Sequence, residues 1–205
     1  MSDQRRGPHS ALGIPVVYNA VTRFLGAPVV TRTVVTEYLR PEPGDRCLDI
    51  GCGTASILEE MGDVQYTGFD PNPAYIKTAK DRYGERGRFL VGAMGEVTPD
   101  DLGEFDLVLA KSVLHHVDDA VAAAIFQLAA DVIRPGGRLV TSDCCYTPDQ
   151  SRPARFITSL DRGGHIRPVA GYEAIAAQTF DDVTVHVRTD LLRIPYTHAI
   201  LVCAA

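Results

Sequence analysis

Arg46-Cys47-Leu48-Asp49-Ile50-Gly51-Cys52-Gly53-Thr54-Ala55-Ser56 begins as a short apolar strand and breaks into a glycine-bearing turn. Glycines at Gly51 and Gly53 let the backbone turn tightly and approach a ligand closely. Thr54–Met61 then reads as a helix, whose first turn offers unpaired N–H groups. Asp70 follows Gly51 by 19 positions and ends a second strand read over Val64–Asp70. An acid about 20 residues beyond such a turn, at the carboxyl end of the second strand, accepts hydrogen bonds from ribose hydroxyls. The competing reading of Asp70 is a helix N-cap, because Pro71-Asn72-Pro73 follows and Asp caps well. Turn and acid together specify a nucleoside-bearing cofactor.

Its chemistry is narrowed by two residues. A dinucleotide loop wants Gly-x-Gly-x-x-Gly, and Ser56 stands at the third glycine position. Asp49 sits two residues before Gly51, where a carboxylate repels a pyrophosphate and suits an ammonium group. The loop therefore favours S-adenosylmethionine over NAD.

Outward from this loop, strands alternate with helices: Gly87–Val91, Phe105–Ala110 and Arg138–Ser142 as strands, Pro73–Tyr83 and Asp119–Ile133 as helices. That alternation gives a parallel sheet with right-handed crossovers. Further on, Asp149–Asp161 and Tyr172–Thr179 read as helices. The strands Val183–Arg188 and His198–Cys203 are too close for a helical crossover, so they run antiparallel. The expected fold is a Rossmann-like α/β sheet, mostly parallel, with an antiparallel C-terminal strand and helices on both faces. It forms a single domain: residues 1–14 a loose tail, 15–40 a helical lid carrying Tyr18 and Arg23, 41–205 the core.

Asp49-Ile50-Gly51-Cys52-Gly53-Thr54, Phe69-Asp70-Pro71-Asn72-Pro73, Phe105-Asp106-Leu107-Val108-Leu109-Ala110 with Val113-Leu114-His115-His116-Val117, and Ile133-Arg134-Pro135-Gly136-Gly137 resemble successive motifs of class I S-adenosylmethionine-dependent methyltransferases. The resemblance implies a seven-stranded sheet and transfer of a methyl group to a small-molecule acceptor, leaving S-adenosylhomocysteine. It implies that Gly51, Cys52 and Gly53 pass close to the methionine part, with Asp49 placing its ammonium group. Asp70 and Pro71 would lie at the ribose, Ala93 and Met94 at the adenine, and Lys111 and Tyr18 would complete the site. Many relatives carry Asp where this chain has Ala93, and a third Gly where it has Ala55, so adenine is expected to be held by packing and backbone groups.

Methyl transfer from a sulfonium is a direct displacement, and placing the nucleophile in line contributes roughly 7–11 kcal/mol. A base is needed only when the acceptor must lose a proton. His115 is the candidate base, since imidazole titrates near neutral pH, and Asp143 ends a strand at the same rim. His116 reads as structural. Tyr146, Arg155 and His165 are candidate substrate residues. Arg152, Arg155, Arg162, His165 and Arg167 form a positive cluster suited to an anionic acceptor or to a solvated helix face.

The chain has 205 residues, 45% hydrophobic, with a net charge of −6. That balance disfavours nucleic-acid partners. No apolar run approaches the ~20 residues that span a bilayer, and no secretory signal is readable. Five cysteines without metal or redox spacing read as reduced thiols of a cytoplasmic protein with no metal. A monomer or homodimer is expected. The other classes weighed are an NAD-binding oxidoreductase, and a member of the fold that binds S-adenosylmethionine or S-adenosylhomocysteine without methylating.

Overall fold

The computed structural model describes residues 26–161 and 163–205. The expected helix at 15–25, with Tyr18 and Arg23, and the tail before it lie outside them, as does Arg162.

Seven strands form one sheet in the order β3-β2-β1-β4-β5-β7-β6. They are β1 Arg46–Ile50, β2 Gln65–Asp70, β3 Gly87–Val91, β4 Phe105–Lys111, β5 Ile133–Cys144, β6 Asp182–Arg188 and β7 His198–Ala204. β1 to β5 pair in parallel. β7 inserts between β5 and β6, antiparallel to both. The strand order reverses at β1 and β4, which leaves a crevice at their carboxyl ends.

Both faces of the sheet are covered, which explains the near-continuous apolar run of β4. Val108 and Ala110 join Leu48, Phe126 and Tyr172 on one face, while Leu107 and Leu109 join Cys47, Val34 and Ile76 on the other. On the second face lie α1 (Ala27–Thr33, continued by a π-helical stretch Val34–Leu39) and α2 (Pro73–Tyr83). On the first lie α4 (Asp119–Val132) and α6 (Val169–Ala176), while α3 is a short turn at Pro99–Leu102 and α5 spans Arg152–Ser159. Val34 and Leu39 are fully buried, so the helix expected at the lid's C-terminal end packs into the core.

Two expectations change, and the competing reading of Asp70 fails. Thr54–Met61 does not form a full helix: a 3₁₀ turn at Ser56–Glu59 is all that forms, preceded by Ala55 at φ 55°. Gly51 at φ 70°, Gly53 at φ 56° and Ala55 keep the chain left-handed at alternate residues, which delays any helical start until Ser56. Asp70 is not the cap of α2, because Asn72 accepts from the Ala74 N–H at 2.9 Å. The fifth strand begins at Ile133 rather than Arg138, with a register shift against β4 between Phe105 and Leu107. Gly137 is required there, since a Cβ would lie 2.6 Å from the Asp106 carbonyl oxygen.

Candidate functional site

β1 and β2 deliver two carboxylates to the crevice. Asp49, 3% exposed, accepts from the Tyr66 hydroxyl at 2.5 Å. Burial pushes its carboxyl up to about 7, against the Tyr66 hydrogen bond and the charge of Lys111. Lys111 is itself lowered by burial, with Asp49 and Asp143 opposing. Asp49, Gly51, Cys52, Ser56, Lys111 and Thr31 line a small cavity of about 60 Å³.

Asp70 sits at the end of β2 and accepts from the Gly53 N–H at 3.0 Å and the Asn72 N–H at 2.8 Å. The loop's donor thus meets a protein carboxylate, which leaves acceptor capacity on Asp70 for hydroxyl donors. A Cβ at Gly51 would lie 2.7 Å from the Val113 side chain, whereas Gly53 faces open space. Pro71 is exposed beside Asp70, and Ala93 and Met94 are half-buried after β3. The Ala93 N–H donates to Glu96 at 2.8 Å. Two carboxylates around an open backbone turn fit a cationic nucleoside and oppose a pyrophosphate.

A second cluster lies at the ends of β4 and β5. His115, on a 3₁₀ turn over Leu114–His116, is 5% exposed. Its Nδ1 meets Asp143 Oδ1 at 2.7 Å, and its backbone N–H donates to the same oxygen at 3.2 Å. Its Nε2 lies 3.4 Å from Asp161, and Asp161 also accepts from the Tyr196 hydroxyl at 2.7 Å. Burial lowers the imidazole's pKa, but the hydrogen bonds to Asp143 and Asp161 outweigh it and raise it to about 9. The same contact to His115 holds Asp161 well below the usual carboxylate range. At neutral pH this is an imidazolium between two carboxylates. His116 stacks on it at 4.0 Å and stays exposed, its pKa lowered by burial and by the His115 charge. Ligand atoms of His115, Cys144 and Asp161 lie within 4.8 Å of one another.

The positive cluster after β5 divides. Arg167 is 7% exposed and donates to the carbonyls of Leu114 at 2.6 Å, Val117 at 2.8 Å and His165 at 3.1 Å, as well as to Asp119. It braces the turn that carries His115, and its donors are taken by the protein. His165 is exposed, and its backbone N–H donates to the His115 carbonyl at 3.0 Å. Arg155 lies 4.8 Å over the Tyr146 ring. Tyr146, Arg152, Arg155, Phe156 and Ser159 line an open cleft of about 470 Å³.

Tyr66, Asp161 and Tyr196 escape a reading of the sequence. Gly68 signals the first: a Cβ there would lie 2.9 Å from both the Tyr66 ring and Cys52. Gly163 signals the loop around Asp161, since its Cβ would meet the His115 carbonyl oxygen at 2.6 Å. Tyr196 has no local signal. Among the described residues, no helix is long and apolar enough to cross a membrane.

A family model described as a methyltransferase domain matches residues 47–137. The chain is 34% identical over 154 residues to 27-O-demethylrifamycin SV methyltransferase of Amycolatopsis mediterranei, covering 71% of this chain and 53% of that protein. It is 34% identical over 115 residues to the ubiquinone biosynthesis O-methyltransferase of Xanthomonas axonopodis pv. citri, covering 53% and 47% respectively. The chain spans about half the length of these curated relatives. Among solved structures it resembles the S-adenosylmethionine-dependent methyltransferase SibL with a TM-score of 0.70, at 19% identity, over 92% of this chain and 57% of that one. At that identity the likeness is one of fold.

Proposed function

We propose that the chain is a class I S-adenosylmethionine-dependent methyltransferase that methylates a hydroxyl oxygen of a small-molecule acceptor, a reading supported by the methyltransferase-domain match and the methyltransferase relatives. The observation that carries the cofactor in this reading is the pair Asp49 and Asp70, set at the ends of neighbouring strands around the Gly51–Gly53 turn. S-adenosylmethionine, when bound, supplies an activated methyl group. Asp49 attracts its ammonium group and Asp70 takes its ribose hydroxyls. The backbone of Gly51, Cys52 and Gly53 approaches the methionine part. Pro71, Ala93 and Met94 bound the nucleoside, Lys111 balances Asp49 until a ligand cation enters, and Tyr18 completes the set. Oxygen as the acceptor atom is supported by two relatives named for O-methylation.

A hydroxyl acceptor must shed a proton. His115, oriented through Nδ1 by Asp143, takes it at Nε2 after Asp161 has withdrawn and that nitrogen has given up its own proton to solvent. Tyr146, Arg155 and His165 face the acceptor. Five cysteines without a disulfide fit a reducing compartment, which supports the cytoplasm.

Calorimetric titration of the purified chain tests the cofactor. Micromolar binding of S-adenosylmethionine and S-adenosylhomocysteine, with none of NAD, is expected; the reverse preference sinks the reading. Asp70→Ala should weaken S-adenosylhomocysteine binding by about 1–3 kcal/mol, the worth of charged hydrogen bonds. Unchanged affinity would remove Asp70 from the ribose. His115→Ala should lower turnover by about 10²–10⁴-fold, the usual worth of a positioned base, with cofactor affinity within about a factor of two. Retained turnover would make His115 structural only.

A further inference from the structure

The outer face of α5 departs from the rest of this acidic surface. Arg155, Phe156 and Ser159 lie three, four and seven residues beyond Arg152, so the four share one side of the helix. The opposite side is anchored. Ala154 and Thr158 are buried, and Thr158 Oγ1 accepts from the Gln150 side chain at 3.3 Å. The outward set is therefore held in place, while Phe156 remains 64% exposed and Leu160 beside it 65%.

Charge is concentrated on this face. Arg32, Arg82, Arg134, Arg167 and Arg188 each meet a carboxylate, and Arg86, Arg88 and Arg138 donate to backbone carbonyls. Among the described residues, Arg152 and Arg155 have neither kind of partner, as is true of Arg40 and Arg46, but these two stand three residues apart on one helix face, with Arg155 over the Tyr146 ring. Two guanidinium groups without acids, in a chain of net charge −6, border an open cleft of about 470 Å³ walled by two aromatic rings. That volume falls within the range of about 300–1,000 Å³ typical of small-molecule sites.

Resting on the methyltransferase reading for the identity of the acceptor, we propose that this cleft holds an aryl carboxylate. Its carboxylate takes the guanidinium forks of Arg152 and Arg155, and its ring lies against Phe156 and Tyr146. Arg favours such a partner because its planar fork matches both carboxylate oxygens and its face stacks on aromatic rings. The cleft also has a connection to the chemistry. The Tyr146 N–H donates to the Arg167 carbonyl at 3.1 Å, and the Arg167 guanidinium holds the Leu114 carbonyl, adjacent to His115.

The test is titration of the full chain with 2-naphthoate and with the uncharged 2-naphthamide, each in the presence of S-adenosylhomocysteine. The acid should bind at least about tenfold tighter than the amide. The double variant Arg152→Ala/Arg155→Ala should bring the acid to the amide's level, and Phe156→Ala should weaken both. S-adenosylhomocysteine affinity should be unchanged in every variant. Equal affinity for acid and amide overturns the proposal, as does an acid preference that survives loss of both arginines. A dimer in sedimentation that dissociates on Phe156→Ala, with no acid preference, also overturns it and assigns the face to self-association. If wild type prefers the acid yet ignores S-adenosylhomocysteine, the cleft stands and the methyltransferase reading falls. Cofactor binding without acid preference overturns the cleft and leaves the methyltransferase reading standing.

Discussion

Arg167→Ala should lower the unfolding free energy by about 2–4 kcal/mol, because it strips the buried Leu114 carbonyl and the part-buried carbonyls of Val117 and His165 of a donor at once. The guanidinium reaches Leu114, Val117 and His165 with separate N–H groups. Of these oxygens, that of Leu114 has a second donor, the Val117 N–H, at a long 3.4 Å. The ion pair with Asp119 adds little to this figure, since that carboxylate is 83% exposed and screened. Arg167→Lys should fall between the two, because one ammonium group cannot span three carbonyls lying in different directions. Urea unfolding of wild type and both variants checks the order. A loss below about 1 kcal/mol for Arg167→Ala would show that its carbonyls find other donors, a typical net hydrogen-bond worth being of that size.

The same residue shows where a sequence stops being informative. Arg167 stands in a run with Arg152, Arg155 and Arg162, and composition alone makes them one positive cluster. What separates them is the path of the chain. The turn after β4 presents its carbonyls to Arg167, while α5 turns Arg152 and Arg155 outward. Burial of an arginine depends on acceptors distant in sequence, and no local pattern encodes them. The cofactor side was more legible because its geometry is local. Gly51, Gly53 and Asp70 act through the two strands and single loop they terminate, so spacing carries the arrangement. Even there one residue misled. Ala55 takes a left-handed conformation costing roughly 1–2 kcal/mol for a non-glycine residue, and the helix expected at Thr54 shrinks to a 3₁₀ turn. Strand order was legible for a similar reason: the connector between β6 and β7 is too short for a crossover. The His115 network was half legible. Asp143 ends a strand at the same rim, but Asp161 and Tyr196 arrive from loops after α5 and before β7.

That network carries the second large expectation, a loss of stability on the alkaline side. His115 titrates at about 9 in the folded chain, against an ordinary value of 6.5. The folded state therefore binds this proton more tightly than the unfolded state. The stabilisation is fully present below pH 6.5 and disappears as pH rises through 9. At 1.36 kcal/mol per pKa unit, it amounts to about 3 kcal/mol. Other shifted groups act mainly outside this window. Asp49 titrates at about 7, so its contribution is mostly gone where that of His115 begins to fall. His198, lowered to about 4 by burial, gains its stabilisation as pH rises to 6.5 and changes little above it. Cys145, raised by burial to about 12, begins to lose stabilisation only above pH 9. His115→Gln removes the imidazolium and relaxes Asp161, His116 and His198, whose changes fall at or below neutral pH, so above pH 7 the difference between its pH profile and that of wild type reports the imidazolium. Denaturant unfolding from pH 6 to 9.5 under reducing conditions should show wild type losing about 3 kcal/mol more than the variant. Parallel profiles would mean that His115 is neutral in the folded chain, and the two carboxylates would then need another cation. Asp161→Asn discriminates further. It removes one of the two groups that hold the proton, so the alkaline loss should shrink and shift to lower pH while Asp143 still orients Nδ1. The imidazole would then be neutral nearer physiological pH, which is the state that accepts a proton from a hydroxyl acceptor. A single substitution thus links the stability profile to the chemistry. On the proposed role of His115 as base, the carboxylate that holds Nε2 must leave before the imidazole acts, so Asp161→Asn should lower the pH at which turnover rises.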